Sequence, residues 1–415
     1  MSTEPSVIII GAGLAGVQTA ESLRTAGFVG AIKLLGDEPH LPYHRPPLSK
    51  AWLAGEIGAE QLIMRTSEAL ARKNIVLQLN SSVLSIDTNE QTVVLANGEL
   101  LRYSGLAITT GASPRGLPIK GANLPRVLAL RSRDDASIIA DRMAECAEKS
   151  WPIVVIGGGF IGLEVAATAR KKNIAVTVLE AAPRLLGRAL APALSDWYFA
   201  LHKSHGVQLL LNAKVNSIEE DNSGAASPLQ VHMNDGTIYP AGLVVVGIGV
   251  NANDGLAKAA GIDCDRGIIV DICSRTSAKN VVAAGDCTAR RLPDGSLLRL
   301  ESVQNATEQG KSAASALLAH ERLFTATPWF WSDQYDKKLQ MAGLSIGADE
   351  WVVRGNMDSG NFSVFHMSAG KLIAVDSINS TKEHLQARKL IELGLSPAKV
   401  QMIDVAFDLS SLLVQ

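Results

Sequence analysis

Six glycines fall in two copies of one spacing: Gly11, Gly13 and Gly16 in IGAGLAG, and Gly157, Gly159 and Gly162 in IGGGFIG. The spacing G-x-G-x-x-G suits one kind of chemistry. The first glycine permits a tight strand-to-helix turn, the second lets backbone approach a pyrophosphate, and the third lets helix and strand pack closely. The helix that follows presents unpaired N–H groups and the positive end of its dipole to the phosphates. An acid at the end of the next strand accepts from a ribose. Asp37 (or Glu38) stands there after the first copy and Glu180 after the second. Two cradles imply two dinucleotides. FAD with a nicotinamide nucleotide is the pair that makes chemical sense, because hydride passes from the one to the other. A carboxylate at Glu180 binds ribose hydroxyls and repels a 2′-phosphate, which favours NADH over NADPH. Arg184 follows, and an arginine there could instead cap a 2′-phosphate. With Glu180 acidic, it reads as a pyrophosphate or adenine-side contact.

These residues need β-α-β frames. The apolar run SVIII precedes the first cradle, a helix with Leu14, Val17, Ala20 and Leu23 at helical spacing follows, and AIKLL is the next strand. The second unit repeats the pattern as IVVI, a helix with Ile161, Val165 and Ala169 on one face, and AVTVLE. After each cradle a polar hairpin, ANGEL or NDGT, leads into a strand that ends at glycine. A further strand ends in Gly-Asp at residue 286. From about residue 326 the chain becomes aromatic and polar, then alternates as in FSVFHM and KLIAVDSI, which predicts antiparallel strands; two short helices finish it. The expected class is α/β: two Rossmann-type dinucleotide-binding domains plus a C-terminal α+β domain. The expected boundaries are residues 1–113 with 245–325 for FAD, 114–244 for NAD and 326–415 for the third domain.

Composition narrows the partners. The 415 residues are 47% apolar, enough for several cores, and a net charge of −2 argues against a protein built to hold nucleic acid. The start MSTEPSVIIIGAG lacks a basic leader, and no apolar run reaches a membrane span, so no membrane partner is expected. Cys146, Cys264, Cys273 and Cys287 form no C-x-x-C pair, and the histidines are scattered; no metal site is expected, and a reducing cytoplasmic setting is the default. His202 and His205, three apart on a helix, read as exposed or satisfied histidines rather than ligands.

The segments GAGLAG, PYHRPPLSK, LAITTGASPR, VVIGGGFIGLEVAATA, VVAAGDC, RLESVQNATEQG and PWFWSDQYD occur in order. With them the chain resembles the FAD-dependent NADH:ferredoxin reductases of bacterial oxygenase systems, which include putidaredoxin reductase-like proteins and the reductase components of aromatic-ring dioxygenases. The resemblance implies a glutathione-reductase-like fold. It implies that Gly11, Gly13, Leu14, Ala15 and Gly16 line the FAD pyrophosphate and that Asp37 binds the adenosine ribose. Arg45 contacts the adenosine or phosphate side, Lys50 reaches the flavin edge, and Val83 touches the adenine through its backbone. Arg131 lies near the flavin, Asp286 bonds the ribityl chain as a buried acid, and Val303 points its N–H at the pyrimidine. Glu164 and Trp331 stand by the nicotinamide and flavin, Glu164 paired with Lys50; Trp329 is structural. Gly157, Gly159, Phe160, Ile161 and Gly162 hold the NADH, with Glu180 and Arg184 at its far end.

The same resemblance names the acceptor. Dithiol relatives place a cysteine pair beside the flavin, but no cysteine occurs here before Cys146. The electrons therefore leave to an external protein, a small [2Fe–2S] ferredoxin that feeds a cytochrome P450 or Rieske oxygenase. Arg65, Arg72, Lys73, Arg290, Arg291, Lys311, Lys337 and Lys338 are basic residues able to steer its docking. A monomer or weak dimer is expected. The alternatives are a rubredoxin reductase, an NADH oxidase or diaphorase, and an apoptosis-inducing-factor-like binding flavoprotein.

Overall fold

Both glycine spacings sit in β-α-β turns. In the computed structural model, which describes residues 5–221 and 227–413, β1 (Ser6–Ile10), α1 (Leu14–Thr25) and β2 (Ala31–Leu35) form the first turn. The second is β3 (Ile153–Ile156), α2 (Phe160–Lys171) and β4 (Val176–Leu179). Three later elements bear on the site: α3 (Pro192–Ser204), α4 (Val303–Leu317) and β5 (Trp329–Gln334). The first four residues, on which part of the expected start falls, lie outside the described residues.

The described chain divides into two units. The first draws on Met1–His44, Ala59–Ser113 and Val250–Ala326, the second on Arg45–Gly58, Pro114–Gly249 and Thr327–Gln415. In the first unit a parallel sheet runs in the order Val281–Ala283, Gly105–Ile108, β1, β2, Ile75–Gln78. Its central strand is β-branched and buried from Val7 to Ile10, as a strand covered on both faces must be. One face packs on α1 and α4 through Val17, Ala20, Leu23 and Ala313. The other meets an antiparallel meander through Ile86, Val93 and Leu101.

The second unit repeats that layout. Its parallel sheet runs Val207–Leu210, β4, β3, Leu243–Val246, Val127–Ala129. A meander built on Val215–Glu220, Leu229–Met233 and Ile238–Ala241 covers one face. The unit adds an antiparallel sheet of order β5, Lys337–Gly343, Lys371–Ile378, Asn361–Ser368, Glu350–Asn356. One side of it packs on a helix, Thr381–Leu393, through Phe365, Val375 and Leu390. The other receives α3, whose Trp197 ring meets Phe362 with centroids 5.3 Å apart. The segment Arg45–Gly58 is fastened to α2: Thr168 Oγ1 donates to the Ser49 carbonyl at 3.0 Å, Lys172 Nζ to the Ala54 carbonyl at 3.1 Å, and Lys171 pairs with Glu56.

The α/β class with two Rossmann-type cores and a C-terminal antiparallel sheet is thus the one expected. Two local readings differ. Ile161 is 44% exposed while Val165 and Ala169 are fully buried. It occupies the first turn of α2, where the helix has just left the cradle. The first of the two closing helices is thirteen residues long. Among the described residues no helix is long and apolar enough to cross a membrane.

Candidate functional site

The first cradle is built by packing at two glycines and openness at the third. A Cβ on Gly11 would lie 2.3 Å from the Thr109 carbonyl oxygen, and one on Gly16 would lie 2.0 Å from the Gly11 carbonyl oxygen. A Cβ on Gly13 would meet nothing within 4 Å. Packing therefore does not demand glycine at position 13, and its absent side chain leaves the backbone open to close approach by a ligand. Gly13 caps α1 without a side chain, and the helix ladder begins with Val17 N–H on the Gly13 carbonyl at 3.0 Å. The N–H groups of Leu14, Ala15 and Gly16 thus have no partner within the helix. That arrangement fits a pyrophosphate.

The distal end of this unit is organised by α4. Ser302 Oγ caps it by accepting from Asn305 N–H at 3.1 Å, which leaves the Val303 N–H at the helix start. Gln309 Oε1 accepts from the Gly285 N–H at 2.8 Å and from Thr288 Oγ1 at 2.9 Å, pinning the turn that presents Asp286. Asp286 is part-buried rather than buried, because it follows the strand end and stands at the sheet's edge. Gln304 is 6% exposed, yet neither atom of its amide has a partner among the described residues. An orphaned amide beside a helix N-terminus fits a site made for a polar ligand edge. At the near end Asp37 is exposed, while Glu38 accepts from Tyr43 Oη at 2.6 Å. Val83 opens the meander.

The second cradle repeats the geometry. A Cβ on Gly157 would lie 2.5 Å from the Gly247 carbonyl oxygen and one on Gly162 would lie 2.2 Å from the Gly157 carbonyl oxygen, while one on Gly159 would make only an ordinary 3.9 Å contact with the Gly247 carbonyl oxygen. The α2 ladder begins with Leu163 N–H on the Gly159 carbonyl at 3.0 Å, so Phe160, Ile161 and Gly162 keep unpaired N–H groups. Glu180 lies inside the turn, accepting from the Gly158 N–H at 2.6 Å and the Ala182 N–H at 2.7 Å. Arg184 lies in a loop that docks on this turn, Leu186 N–H donating to the Gly158 carbonyl at 3.0 Å, and its guanidinium donates to the carbonyls of Gly187 at 3.0 Å and Leu190 at 3.3 Å.

Also in the second unit, three elements meet at Glu164, which is 3% exposed. Its carboxylate pairs with Lys50 Nζ at 2.7 Å and accepts from Ser49 Oγ at 2.5 Å and from Ser332 Oγ at 2.6 Å. Ser49 and Lys50 come from the segment fastened to α2, Glu164 from α2 itself and Ser332 from β5. Strand alternation puts Phe330, Ser332 and Gln334 on the face toward α2 and α3, with the Phe330 and Phe160 rings 4.8 Å apart. Trp331 therefore sits on the opposite face, part-exposed, 5.5 Å from the Trp329 ring. Trp329 packs against the C-terminal core. Arg45 Nη1 donates to the Arg131 carbonyl at 2.8 Å, so those two are also brought together.

Ser49, Ser332 and Gln304 were not singled out from sequence. Ser49 precedes Lys50 and Ser332 follows Trp331, and that adjacency was the available signal. All four cysteines are free of disulfides, and burial pushes the thiols of Cys146, Cys264 and Cys287 up to about 11. Several basic residues expected at a docking surface are engaged locally. Arg65 and Lys73 pair with Glu21, Lys311 with Glu308 and Lys337 with Asp336, and Arg290 lies over Phe324.

Two dinucleotide cradles on parallel sheets, with a closing antiparallel sheet, define a flavin- and pyridine-nucleotide-dependent oxidoreductase. The chain belongs to the pyridine nucleotide-disulphide oxidoreductase family, which matches residues 5–310, and a reductase C-terminal domain matches 329–413. It is 44% identical to rhodocoxin reductase of Rhodococcus erythropolis over 405 residues, 97% of this chain and 93% of that one. The ferredoxin reductase for the CYP199A2 system from Rhodopseudomonas palustris superposes with a TM-score of 0.93 at 40% identity, covering 98% and 99% of the two chains. The reductase in the covalent putidaredoxin reductase–putidaredoxin complex gives 0.92 at 39% identity, covering 99% and 98%.

Proposed function

We propose that this protein is a cytoplasmic NADH-dependent ferredoxin reductase that passes electrons to a [2Fe–2S] ferredoxin serving a P450 or Rieske oxygenase. The observation that carries the reading is the extent of the likeness: it runs through the C-terminal sheet to nearly the whole length of chains named as ferredoxin reductases. FAD occupies the first cradle and the discontinuous body of residues 1–113 and 245–325, and NADH occupies 114–244 through the second cradle. The bound cofactors supply a hydride from the nicotinamide to the flavin and then single electrons to two ferredoxin molecules.

The chain's own residues do the rest. The first-turn N–H groups of α1 and α2 hold the pyrophosphates, Asp37 and Glu180 take the ribose hydroxyls, and Glu180 turns away a 2′-phosphate. Arg45, Val83, Arg131, Asp286 and Val303 line the flavin nucleotide. Lys50, held by Glu164, places a cation at the flavin edge, where it stabilises the negative charge the ring gains. Trp331 covers the stacked rings. None of the four cysteines is disulfide-bonded, which supports an external acceptor.

The test is NADH-driven cytochrome c reduction by the yellow protein, with and without added [2Fe–2S] ferredoxin. A large ferredoxin-dependent stimulation is expected. Fast NADH consumption that ferredoxin leaves unchanged would overturn the reading in favour of an oxidase or diaphorase. Lys50→Met is expected to slow flavin reduction.

A further inference from the structure

Glu164 is buried, and a buried carboxylate is stable only when its lone pairs are filled. The groups that fill them constrain one another in sequence. The Ser332 hydroxyl has a single proton and gives it to Glu164 Oε1 at 2.6 Å, so its oxygen accepts from Gln334 Nε2 at 3.2 Å. That orients the Gln334 amide, whose Oε1 lies 2.7 Å from His202 Nε2. An amide oxygen only accepts, so Nε2 of His202 carries the ring proton and Nδ1 carries the lone pair. Tyr335 Oη then donates to Nδ1 at 3.0 Å. Tyr335 is itself stacked on His205, with centroids 3.7 Å apart. Ser332, Gln334 and His202 are all deeply buried. Burial holds His202 down to about 4, so its ring is neutral near pH 7, as this order of donors requires.

We infer that Gln334, His202 and Tyr335 are positioning residues for Glu164: with Ser332 they form a one-way row of donors aimed at its carboxylate, fixing it for its pair with Lys50. The inference rests on the proposed role of Lys50 and Glu164. The row does not conduct protons. A proton crossing Gln334 would enter at the amide oxygen and leave from the nitrogen, which demands the unstable imidic acid form. Its dipoles instead reinforce one another in a dry interior. The row also ties α3 to β5, the strand that carries Trp331. The other ionisable groups facing Glu164 are Lys50 and Tyr198, the latter kept neutral by burial and by the carboxylate's charge.

The test uses the FAD-loaded protein. Ring-nitrogen NMR on isotope-labelled histidine, with His202 assigned by its loss in His202→Gln, is expected to show a neutral ring protonated at Nε2. Gln334→Met keeps the side-chain length and removes the amide. It is expected to slow bleaching of the flavin by NADH roughly fivefold, the scale of one lost hydrogen bond between neutral groups, with flavin content unchanged. Ser332→Ala should do the same and Ser332→Thr should recover the rate. An Nδ1-protonated His202, or Gln334→Met within about twofold of the parent rate, overturns the inference. A parent protein whose flavin NADH does not bleach is a failure of the functional reading, and the ring-nitrogen result then decides the inference alone.

Discussion

The two cradles are the same turn with one exchange of small for large. Gly11 N–H donates to the Leu35 carbonyl and Gly157 N–H to the Leu179 carbonyl, both at 2.8 Å. Gly36 N–H and Glu180 N–H likewise donate to the next strand over, at Gln78 and Leu210. Gly36 therefore matches Glu180, and Ala12 matches Gly158. In the first cradle the Ala12 methyl faces a glycine: a Cβ on Gly36 would lie 3.0 Å from it. In the second the glycine is on the turn and the acid on the strand, with Glu180 Oε2 3.1 Å from where a Gly158 Cβ would be. The difference teaches where the acid can go. With Gly158 on the turn, Glu180 folds inward and takes two N–H groups. With Ala12 there, the matching strand-end position is Gly36, and the next residue is the exposed Asp37.

The most damaging way to break the comparison is at the first glycines. Gly11 has φ +109° and Gly157 has φ +110°, and each lies against a carbonyl oxygen. Gly11→Ala is expected to yield colourless or unfolded protein, and Gly157→Ala a yellow protein that NADH no longer bleaches; visible flavin absorbance reads both. The reverse pattern would exchange the two ligands. Next is Glu180→Arg. Losing a charge-assisted hydrogen bond is worth about 1.5–3 kcal/mol, so the NADH-over-NADPH ratio of kcat/KM should fall on the order of 10- to 100-fold. An unchanged ratio would mean the ribose is recognised elsewhere.

A third prediction concerns acid. Burial pushes His202 and His384, both in the second unit, down to about 4. A histidine in the unfolded chain titrates near 6.5, so the folded value is the lower one. The stabilisation from the neutral form is complete above the unfolded value and is lost as pH falls toward 4. Each group contributes on the order of 2 kcal/mol. The melting temperature of His384→Gln should fall less between about pH 7 and 5 than that of the parent; equal falls would place the acid sensitivity elsewhere. The smallest effect lies at the helix ends. Past the end of α1 stands Gly27 at φ +87°, but past α2 stands Asn173 at φ +59°. Asn173→Gly removes a left-handed side chain and should stabilise by about 0.5 kcal/mol; a lower melting temperature would show the Asn side chain making a contact of its own.

The cradles were legible because their chemistry is local. The glycine spacing, the preceding apolar strand and the helical stripe all lie within one short stretch, so sequence alone placed both turns. The choice between Asp37 and Glu38 was not legible, since it depends on Tyr43 reaching Glu38 across a loop. The Lys50–Glu164 partnership joins residues far apart in sequence, and only family resemblance suggested it. His202 reads from sequence as an exposed or satisfied histidine, and it is a buried, satisfied one whose two partners the sequence does not name. Those partners, Gln334 at the end of β5 and Tyr335 in the turn after it, lie far down the chain, and nothing in helical spacing announces them.

The division of the chain has a consequence for its birth. The polypeptide leaves the first unit after His44, returns at Ala59, leaves after Ser113, returns at Val250 and leaves again after Ala326. The edge strand Val281–Ala283 and the helix α4 that complete the first sheet and its core are therefore among the later parts translated. Until they leave the ribosome, the strand Gly105–Ile108 has an unpaired edge and α1 an uncovered apolar face. Strand β5, which supplies Ser332 to Glu164, is made later still. Neither unit finishes before the other begins, so these apolar surfaces and the open strand edge stay exposed, and prone to aggregate, until the later segments are made.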